Sequence, residues 1–404
     1  MQIKPIRWLV SLTVIAIAAC QSSATPTPVA TNSPAPTLAP LTATAIPLSP
    51  APTAPPVGTN TPTAISTIPV SIIELAGTEL HPGFSIIKFA EVYRPTAFAF
   101  DGLGRLYVTS TDSNIYLLSD DNKDGRADSL STFAAGYYLP LGITVHPVTG
   151  DIYVSHQGSI TILSDTDADG KADTHRTLVD NLPTERHQND NLKFGPDGWL
   201  YMGLGSTCDA CTELNPKSAT ILRFNVDTSA SEIYATGLRN PYDIAFHPIT
   251  GDLFSTDNGR DDLGMDTPYE ELDHIIQGGN YGFPNCWNAQ DQAGCENTIP
   301  AAAYFEAHSS VDGLDFYNGA HFPAEYRNNA FVSVFGSWLK PNVQTGIQRI
   351  VLAQENGHWV GSPTWFVHFP EGVMPLPLLF GPDDALYVGD YINSVIYRIS
   401  YGVP

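Results

Sequence analysis

A strand–turn–strand pattern returns along most of this chain. Pro95–Ser110 reads PTAFAFDGLGRLYVTS, Pro140–Ser155 reads PLGITVHPVTGDIYVS, and Asn191–Gly205 reads NLKFGPDGWLYMGLG. Pro241–Thr256 reads PYDIAFHPITGDLFST and Pro375–Asp390 reads PLPLLFGPDDALYVGD. Each copy is an alternating strand, a turn rich in Gly, Asp or Pro, and a second alternating strand. Most copies continue into a third strand, at Ser113–Leu118, Gly158–Leu163, Ala219–Phe224 and Asn393–Arg398. A sixth, less regular copy runs from Asn329 to Leu352. The early copies lie about 45 residues apart, the length of a four-stranded blade. The pattern predicts an all-β, six-bladed β-propeller, with later intervals stretched by insertions at 208–218 and 257–328. A pair of β-sandwiches fits the count and period less well. Loops at the central channel are where function is expected.

The residues ahead of the repeats cannot join them. Lys4 and Arg7 form a positive start, and Trp8–Ala19 form an apolar run too short and wrongly flanked for a spanning helix. Ile17-Ala18-Ala19-Cys20 suits a lipoprotein signal peptidase, with the Cys20 thiol receiving the lipid. The alternative is an ordinary secretory signal with an incidental cysteine. From Gln21 to Pro69 the chain is almost wholly Pro, Thr, Ala and Ser, and no charged residue falls between Arg7 and Glu74. Such a stretch buries no core and reads as a disordered stalk open to O-glycosylation. The expected organisation is a signal peptide at 1–20, a linker at 21–69 and one propeller at 70–404. The expected location is extracytoplasmic, with the membrane touched only through the lipid anchor.

Net charge is −23, from 19 basic and 42 acidic residues. Nucleic acid and anionic membrane surfaces are therefore poor partners, and calcium a better one. On charge alone, a merely soluble acidic surface accounts for the balance better than calcium does. Beyond Cys20 four cysteines remain, an even number that favours disulfides in an exported domain. Three pairings can be drawn. Cys208–Cys211 with Cys286–Cys295 is expected, because each closes a local loop. A four-thiolate zinc site is the alternative, disfavoured by compartment and by the C-x8-C spacing.

Two loops carry alternate oxygen-bearing side chains. Asp120–Asp128 reads DDNKDGRAD and Asp165–Asp173 reads DTDADGKAD. Asp120, Asn122 and Asp124 in one, and Asp165, Asp167 and Asp169 in the other, are followed by a glycine and then by Asp128 or Asp173. Alternate carboxylates around a sharp turn suit a hard cation with many oxygen ligands. The twelfth-position glutamate and flanking helices of an EF-hand are absent. The loops are expected to bind calcium in a structural role, against the plainer reading of solvated Asp/Gly turns.

Candidate chemistry concentrates between residues 187 and 284. His187 opens HQNDNLKFGPDG just ahead of a strand, where a neutral imidazole could take a proton from a hydroxyl. Alone, a histidine there is more often structural. Next come GLRNP at 237–241, TDNGRDD at 256–262, Glu270-Glu271, and GGNYGFP at 278–284. Together and in this order, these motifs resemble the soluble pyrroloquinoline quinone (PQQ) sugar dehydrogenases, quinoproteins, on their sorbosone dehydrogenase side. The resemblance covers about residues 84–400.

That resemblance implies a six-bladed propeller in which His187 is the general base for a sugar hydroxyl and hydride passes to the C5 carbon of PQQ. Arg239 matches the arginine beside that carbonyl, where it would stabilise oxyanion charge. Asn240 matches a cofactor contact, and Asn258 stands where a Gln often lies near the quinone. The backbone carbonyls of Gly259 and Arg260 match ligands of the cofactor's calcium, a Lewis acid on PQQ. Lys340, in GSWLKP, approximates a base that pairs with PQQ carboxylates. The chain departs from the family at Tyr137–Pro140, at Asn191 in place of an arginine, and at Gly372–Pro377, where arginines ahead of the last blade are missing. Fewer cations would grip a tricarboxylate less tightly. The implied activity is oxidation of a sugar or polyol, with electrons passed to an external acceptor, since no Cys-x-x-Cys-His haem motif occurs. The alternative is a non-catalytic, calcium-stabilised propeller that binds glycan or protein. A calcium hydrolase of lactonase type would need acidic ligands facing the channel.

Overall fold

The computed structural model describes residues 71–287 and 294–403. The expected signal segment, Cys20 and the stalk at 21–69 lie outside the described residues. Among the described residues, five antiparallel sheets of four strands and one of five, in which Glu79–Leu80 adds to the outer edge of blade 5, follow one another as blades. Blade 1 is Pro95–Phe100, Leu106–Ser110, Asn114–Ser119 and Ser129–Ala135. Blade 2 is Gly142–Val145, Ile152–His156, Ser159–Ser164 and Thr174–Val179. Blade 3 is Asn189–Phe194, Leu200–Leu204, Thr220–Phe224 and Ser231–Thr236. Blade 4 is Pro241–Phe246, Leu253–Asp257, Glu270–Ile275 and Ala303–Phe305. Blade 5 is Val311–Phe316, Ala330–Val334, Gly346–Ile350 and Pro363–His368. Blade 6 is Pro375–Phe380, Leu386–Asp390, Val395–Tyr401 and, from the other end of the chain, Phe84–Glu91.

Burial follows this order. The second strand of every blade is buried almost throughout, because neighbouring blades cover both its faces. The outermost strands of blades 1 to 3 are largely exposed and polar, which blunts their free edges. Blade 6 closes the ring by pairing Phe84–Glu91 with Val395–Tyr401. Phe84 is fully buried in that closure, meeting Phe322, Tyr326, Phe366 and Tyr401 edge-on at centroid distances of 4.7, 5.1, 4.9 and 5.0 Å. Each such pair adds to the apolar area buried.

Side chains near the channel tie blade to blade. Thr96 Oγ1 donates to Pro140 O (2.6 Å), and Ser155 Oγ to Asn189 O (2.9 Å). Asn191 accepts from Ile143 N (3.2 Å) and donates to Asp243 Oδ1 (2.6 Å). Asp243 Oδ2 accepts from Leu314 N (3.0 Å), and Thr256 Oγ1 donates to Asp312 O (2.7 Å). Ser333 Oγ donates to Leu376 O (2.8 Å), and Asp315 Oδ2 accepts from Phe380 N (2.8 Å). The two Asp-rich loops add links on the outside. Ala127 N donates to Phe89 O, across the closing seam, and Ala172 N donates to Phe133 O, each at 2.9 Å.

One segment differs from the sequence reading. The innermost strand of blade 5, Val311–Phe316, lies inside the stretch read as an insertion, as do two strands of blade 4. Its sequence, VDGLDF, lacks apolar alternation because three positions serve other ends. Asp312 and Asp315 bond across blades, and a Cβ on Gly313 would stand 2.7 Å from Leu376 O. The sixth blade copy therefore begins at Val311, ahead of Asn329.

Replacing Phe84 by Ala should lower the unfolding free energy by about 3–5 kcal/mol. Exposed Val148→Ala should change it by less than about 0.5 kcal/mol. Urea unfolding of both variants checks this, and equal, small effects would show that the closure is not held by this ring.

Candidate active site

A cleft of about 450 Å³ opens beside the channel, with His187, Arg186, Arg239, Asn240, Asn258 and Gly259 in its walls and Trp338 at its rim. His187 immediately precedes the blade 3 inner strand, and its amide donates to Ser206 O (3.1 Å). Its Nδ1 lies 2.9 Å from Ser206 Oγ and 3.1 Å from Ser206 O. Ser206 Oγ donates its own hydrogen to Cys208 O (2.7 Å), so Nδ1 carries the proton and Nε2 the lone pair. Nε2 has no partner among the described residues. Only glycine fits behind the ring, because a Cβ on Gly205 would stand 2.4 Å from His187 Cβ. Burial, then the positive charges of Arg239 and Arg186, push the imidazole down to about 3. It is neutral at physiological pH.

Arg239 is buried, with its side chain 5% exposed. Its Nε donates to Asp209 O (3.1 Å) and its Nη1 to Asn258 O (3.1 Å). Its Nη2 donates to Asp209 Oδ1 (2.7 Å) and Asp261 Oδ2 (3.0 Å). Arg186 shares both carboxylates, at 3.6 and 2.5 Å. The backbone amides of Arg239 and Asn240 are capped by the Asp257 carboxyl (3.0 and 2.6 Å). Asn258 spends both ends of its amide on blade 5, donating to Asp312 Oδ1 (2.9 Å) and accepting from Val311 N (2.8 Å). Gly259 N donates to Glu270 Oε2 (2.6 Å).

The remaining sequence candidates stand apart. Arg260 pairs with Asp262 (2.6 Å), donates to Pro284 O (2.5 Å) and lies over the Trp287 ring. Lys340 is held by Glu306 (3.0 Å) and Asp266 (3.4 Å), although Trp338 and Leu339 beside it reach the cleft wall. Asp120–Asp128 and Asp165–Asp173 lie between the third and outermost strands of blades 1 and 2. In both loops the first Asp accepts from the glycine amide, Asp120 from Gly125 (2.8 Å) and Asp165 from Gly170 (3.0 Å). Asp128 accepts from Asn122 N (2.9 Å), and Asp173 from Thr166 N (2.6 Å). Oxygens of Asp165, Asp167 and Asp173 lie within 4.8 Å of one another. Both expected disulfides, Cys208–Cys211 and Cys286–Cys295, are formed, in place of a zinc site.

Arg186 and Asp209 fall in no motif of the sequence, whereas Asp261 belongs to TDNGRDD and Ser206 ends GPDGWLYMGLGS; all four gather around His187 and Arg239. Buried acids also gather beside the cleft, with Glu270 in its wall. Burial pushes Asp257 and Asp312 each up to about 7 and Glu270 up to about 8. Asp190 is driven well above its ordinary range by burial and by Asp312, Asp243 and Asp257, and its Oδ2 has no protein partner. Among the described residues, no three acidic or histidine ligand atoms converge within 4.8 Å in this channel. The hydrolase reading therefore gains no metal site there.

The family described as Domain of unknown function (DUF7133) matches residues 74–399. An uncharacterized protein of Borreliella burgdorferi is 26% identical over 299 residues, 68% of this chain and 76% of that protein. Quinoprotein glucose dehydrogenase B of Acinetobacter calcoaceticus is 29% identical over 170 residues, and the match spans only 34% of each chain. The calcium structure of the Trichoderma reesei Carbohydrate-Active Enzymes Family AA12 protein superposes with a TM-score of 0.72 at 19% identity, over 82% of this chain and 98% of that one. The likeness to PQQ-dependent sugar dehydrogenases read from the motifs is thus found again by comparison, and the propeller fold with it.

The channel acids set a pH dependence. Asp257, Asp312 and Glu270 titrate near 4 in an unfolded chain, and at about 7, 7 and 8 here. Between those values the native state holds protons that the unfolded chain has lost, so stability falls as pH rises through the window. His187 acts oppositely, but only below its unfolded value of 6.5. In a chelating buffer, Tm should fall between about pH 6.5 and about pH 8.5. Thermal scans check this, and a Tm that rises across that range contradicts it.

Proposed function

The chain belongs to the DUF7133 family, and we propose that it acts as an extracytoplasmic oxidoreductase that oxidises a sugar or polyol with PQQ and calcium. One observation carries the reading. His187 is neutral, its Nδ1–H is engaged, and its Nε2 lone pair is free in a cleft walled by Arg239, Asn258 and Gly259. That is the state a general base needs.

The residues fit the cofactor, on one condition. At the metal end, the carbonyls of Gly259 and Arg260 are hard oxygen donors, and Glu270, a buried carboxyl, lies directly against the Gly259 amide. At the anionic end, Arg186 and Arg239 are the guanidiniums a carboxylate could reach, and both are already held by Asp209 and Asp261. A cofactor carboxylate would have to exchange with one of these. Asn240 and Asn258 line the same wall, whereas Lys340 would need to leave its two acids to take part.

When bound, PQQ with calcium supplies the hydride acceptor and passes electrons to an external acceptor. His187 Nε2 takes the hydroxyl proton, while the bond from Nδ1–H to Ser206 keeps the ring in place. The resulting imidazolium faces Arg239 and Arg186, with Asp209 and Asp261 offsetting their charge. Trp338, 77% exposed at the rim, offers an apolar face to a pyranose ring. The two Asp-rich loops we read as calcium staples between neighbouring blades, and Cys20 as the lipid anchor of an exported protein. No helix of the described residues is long and apolar enough to cross a membrane. A second reading, a non-catalytic propeller for glycan or protein, is favoured by the pairing of Arg186, Arg239, Arg260 and Lys340 with carboxylates.

Reconstitution separates the two. The purified protein with PQQ and calcium should reduce a dye acceptor over a sugar panel. His187→Ala should lower kcat by about 10²–10⁴-fold with Tm unchanged. Failure to bind PQQ at micromolar concentration overturns the enzyme reading, and an unaffected rate removes His187 from the reaction. EGTA should lower the Tm of the wild type more than that of an Asp124→Asn/Asp173→Asn variant; equal shifts would leave the loops as plain turns.

A further inference from the structure

The small disulfide loop on blade 3 stands over the arginine of the cleft. It belongs to the insertion between Leu200–Leu204 and Thr220–Phe224, outside the strand ladder. Thr207 fixes its base, donating from N and Oγ1 to the Glu213 carboxylate (2.7 Å each). The Cys208–Cys211 bond closes it, with Asp209 inside the closed turn. Asp209 Oδ1 accepts from Arg239 Nη2 (2.7 Å) and from Asp261 N (3.0 Å), and lies 3.6 Å from Arg186 Nη2.

Both carboxylates are more exposed than the arginine they hold, and Asp261, at 38%, lines the cleft itself. The Arg239 side chain is 5% exposed, whereas that of Asp209 is 26% exposed. Every nitrogen of the guanidinium already donates to an oxygen of the protein. An anion entering the cleft therefore meets a carboxylate where a cation would attract it. Asp209 is the closer of the two holders, at 2.7 Å against 3.0 Å for Asp261, and its backbone oxygen also accepts from Arg239 Nε, whereas Asp261 is divided between Arg239 and Arg186.

We propose that Asp209 is a built-in competitor for the anion slot of Arg239 and Arg186, and that it determines how tightly this cleft takes an anionic cofactor or ligand group. The competition rests on the ion-pair geometry alone. Only the identity of the anion as PQQ rests on the function proposed above. Removing the Asp209 charge without removing its shape should free the guanidinium, since a charge-assisted bond is about twice as strong as a neutral one.

The test is calorimetric titration of the full chain, in calcium and at fixed ionic strength, with two probes: PQQ, and benzene-1,3,5-tricarboxylate, a trianion without a quinone. Asp209→Asn should bind both about tenfold more tightly than the wild type. Cys208→Ser/Cys211→Ser, which frees the loop, should shift affinity in the same direction and decides the matter if Asp209→Asn does not fold by circular dichroism. Equal or weaker binding of both probes by the folded variant overturns the inference and makes Asp209 a positioning residue for Arg239. If the wild type nonetheless binds PQQ, the proposed function stands without it. If neither protein binds PQQ but the trianion binds the variant more tightly, the competition stands and the enzyme reading falls.

Discussion

Among the described residues the blades form separate sheets, so the ring depends on what crosses the seams, side chains above all. Apolar packing supplies most of the contact, but it is non-directional and cannot set the relative height of two blades. The hydrogen bonds at the inner strands can. Asn191 reaches both ways, to Ile143 N on blade 2 and to Asp243 on blade 4, and Asp243 passes the link on to Leu314 N on blade 5. Such buried polar groups are costly unless fully partnered, which makes the register they fix specific. The pairing of Phe84–Glu91 with the last strands then turns an open stack into a closed one.

The cleft grows out of the same arrangement. Asp257 ends a blade 4 strand and caps the turn that carries Arg239 and Asn240. Asn258, the next residue, is spent on blade 5 through Asp312 and Val311. Site and seam are thus built by adjacent residues, and the polar groups that align the blades also hold the reactive ones still. The cost is a column of buried carboxyls with few cations near them. Among the cations nearby, Lys193 acts on Asp243 and Asp315, and Arg186 and Arg239 are shared between Asp209 and Asp261. A neutral resting His187 is a consequence of this setting, since burial and two nearby guanidiniums disfavour its charged form.

Much of the fold is legible in the sequence because the hairpins of five blades keep apolar residues at alternate positions around Gly or Asp turns. Blade 5 is hidden at its inner strand, where Asp312, Gly313 and Asp315 face the channel and the neighbouring blades and so erase the alternation. His187, Arg239 and the Asn258–Arg260 segment are legible because they sit in compact motifs next to strands. Their partners are not. Asp209 arrives on an insertion with no periodicity, Ser206 looks like an ordinary strand end, and Lys340 looks free until Glu306 and Asp266 are brought to it. Motifs report which groups are present; three-dimensional pairing decides which of them are available.

The central claim is that this cleft is a cofactor site whose anion slot is filled by the protein itself. A crystal structure of the protein saturated with PQQ and calcium tests it most directly. The account predicts cofactor density in the cleft beside His187, a cation at the Gly259 and Arg260 carbonyls, and Asp209 displaced from Arg239. A cleft without cofactor at saturating concentration, with Asp209 still on Arg239, would contradict it.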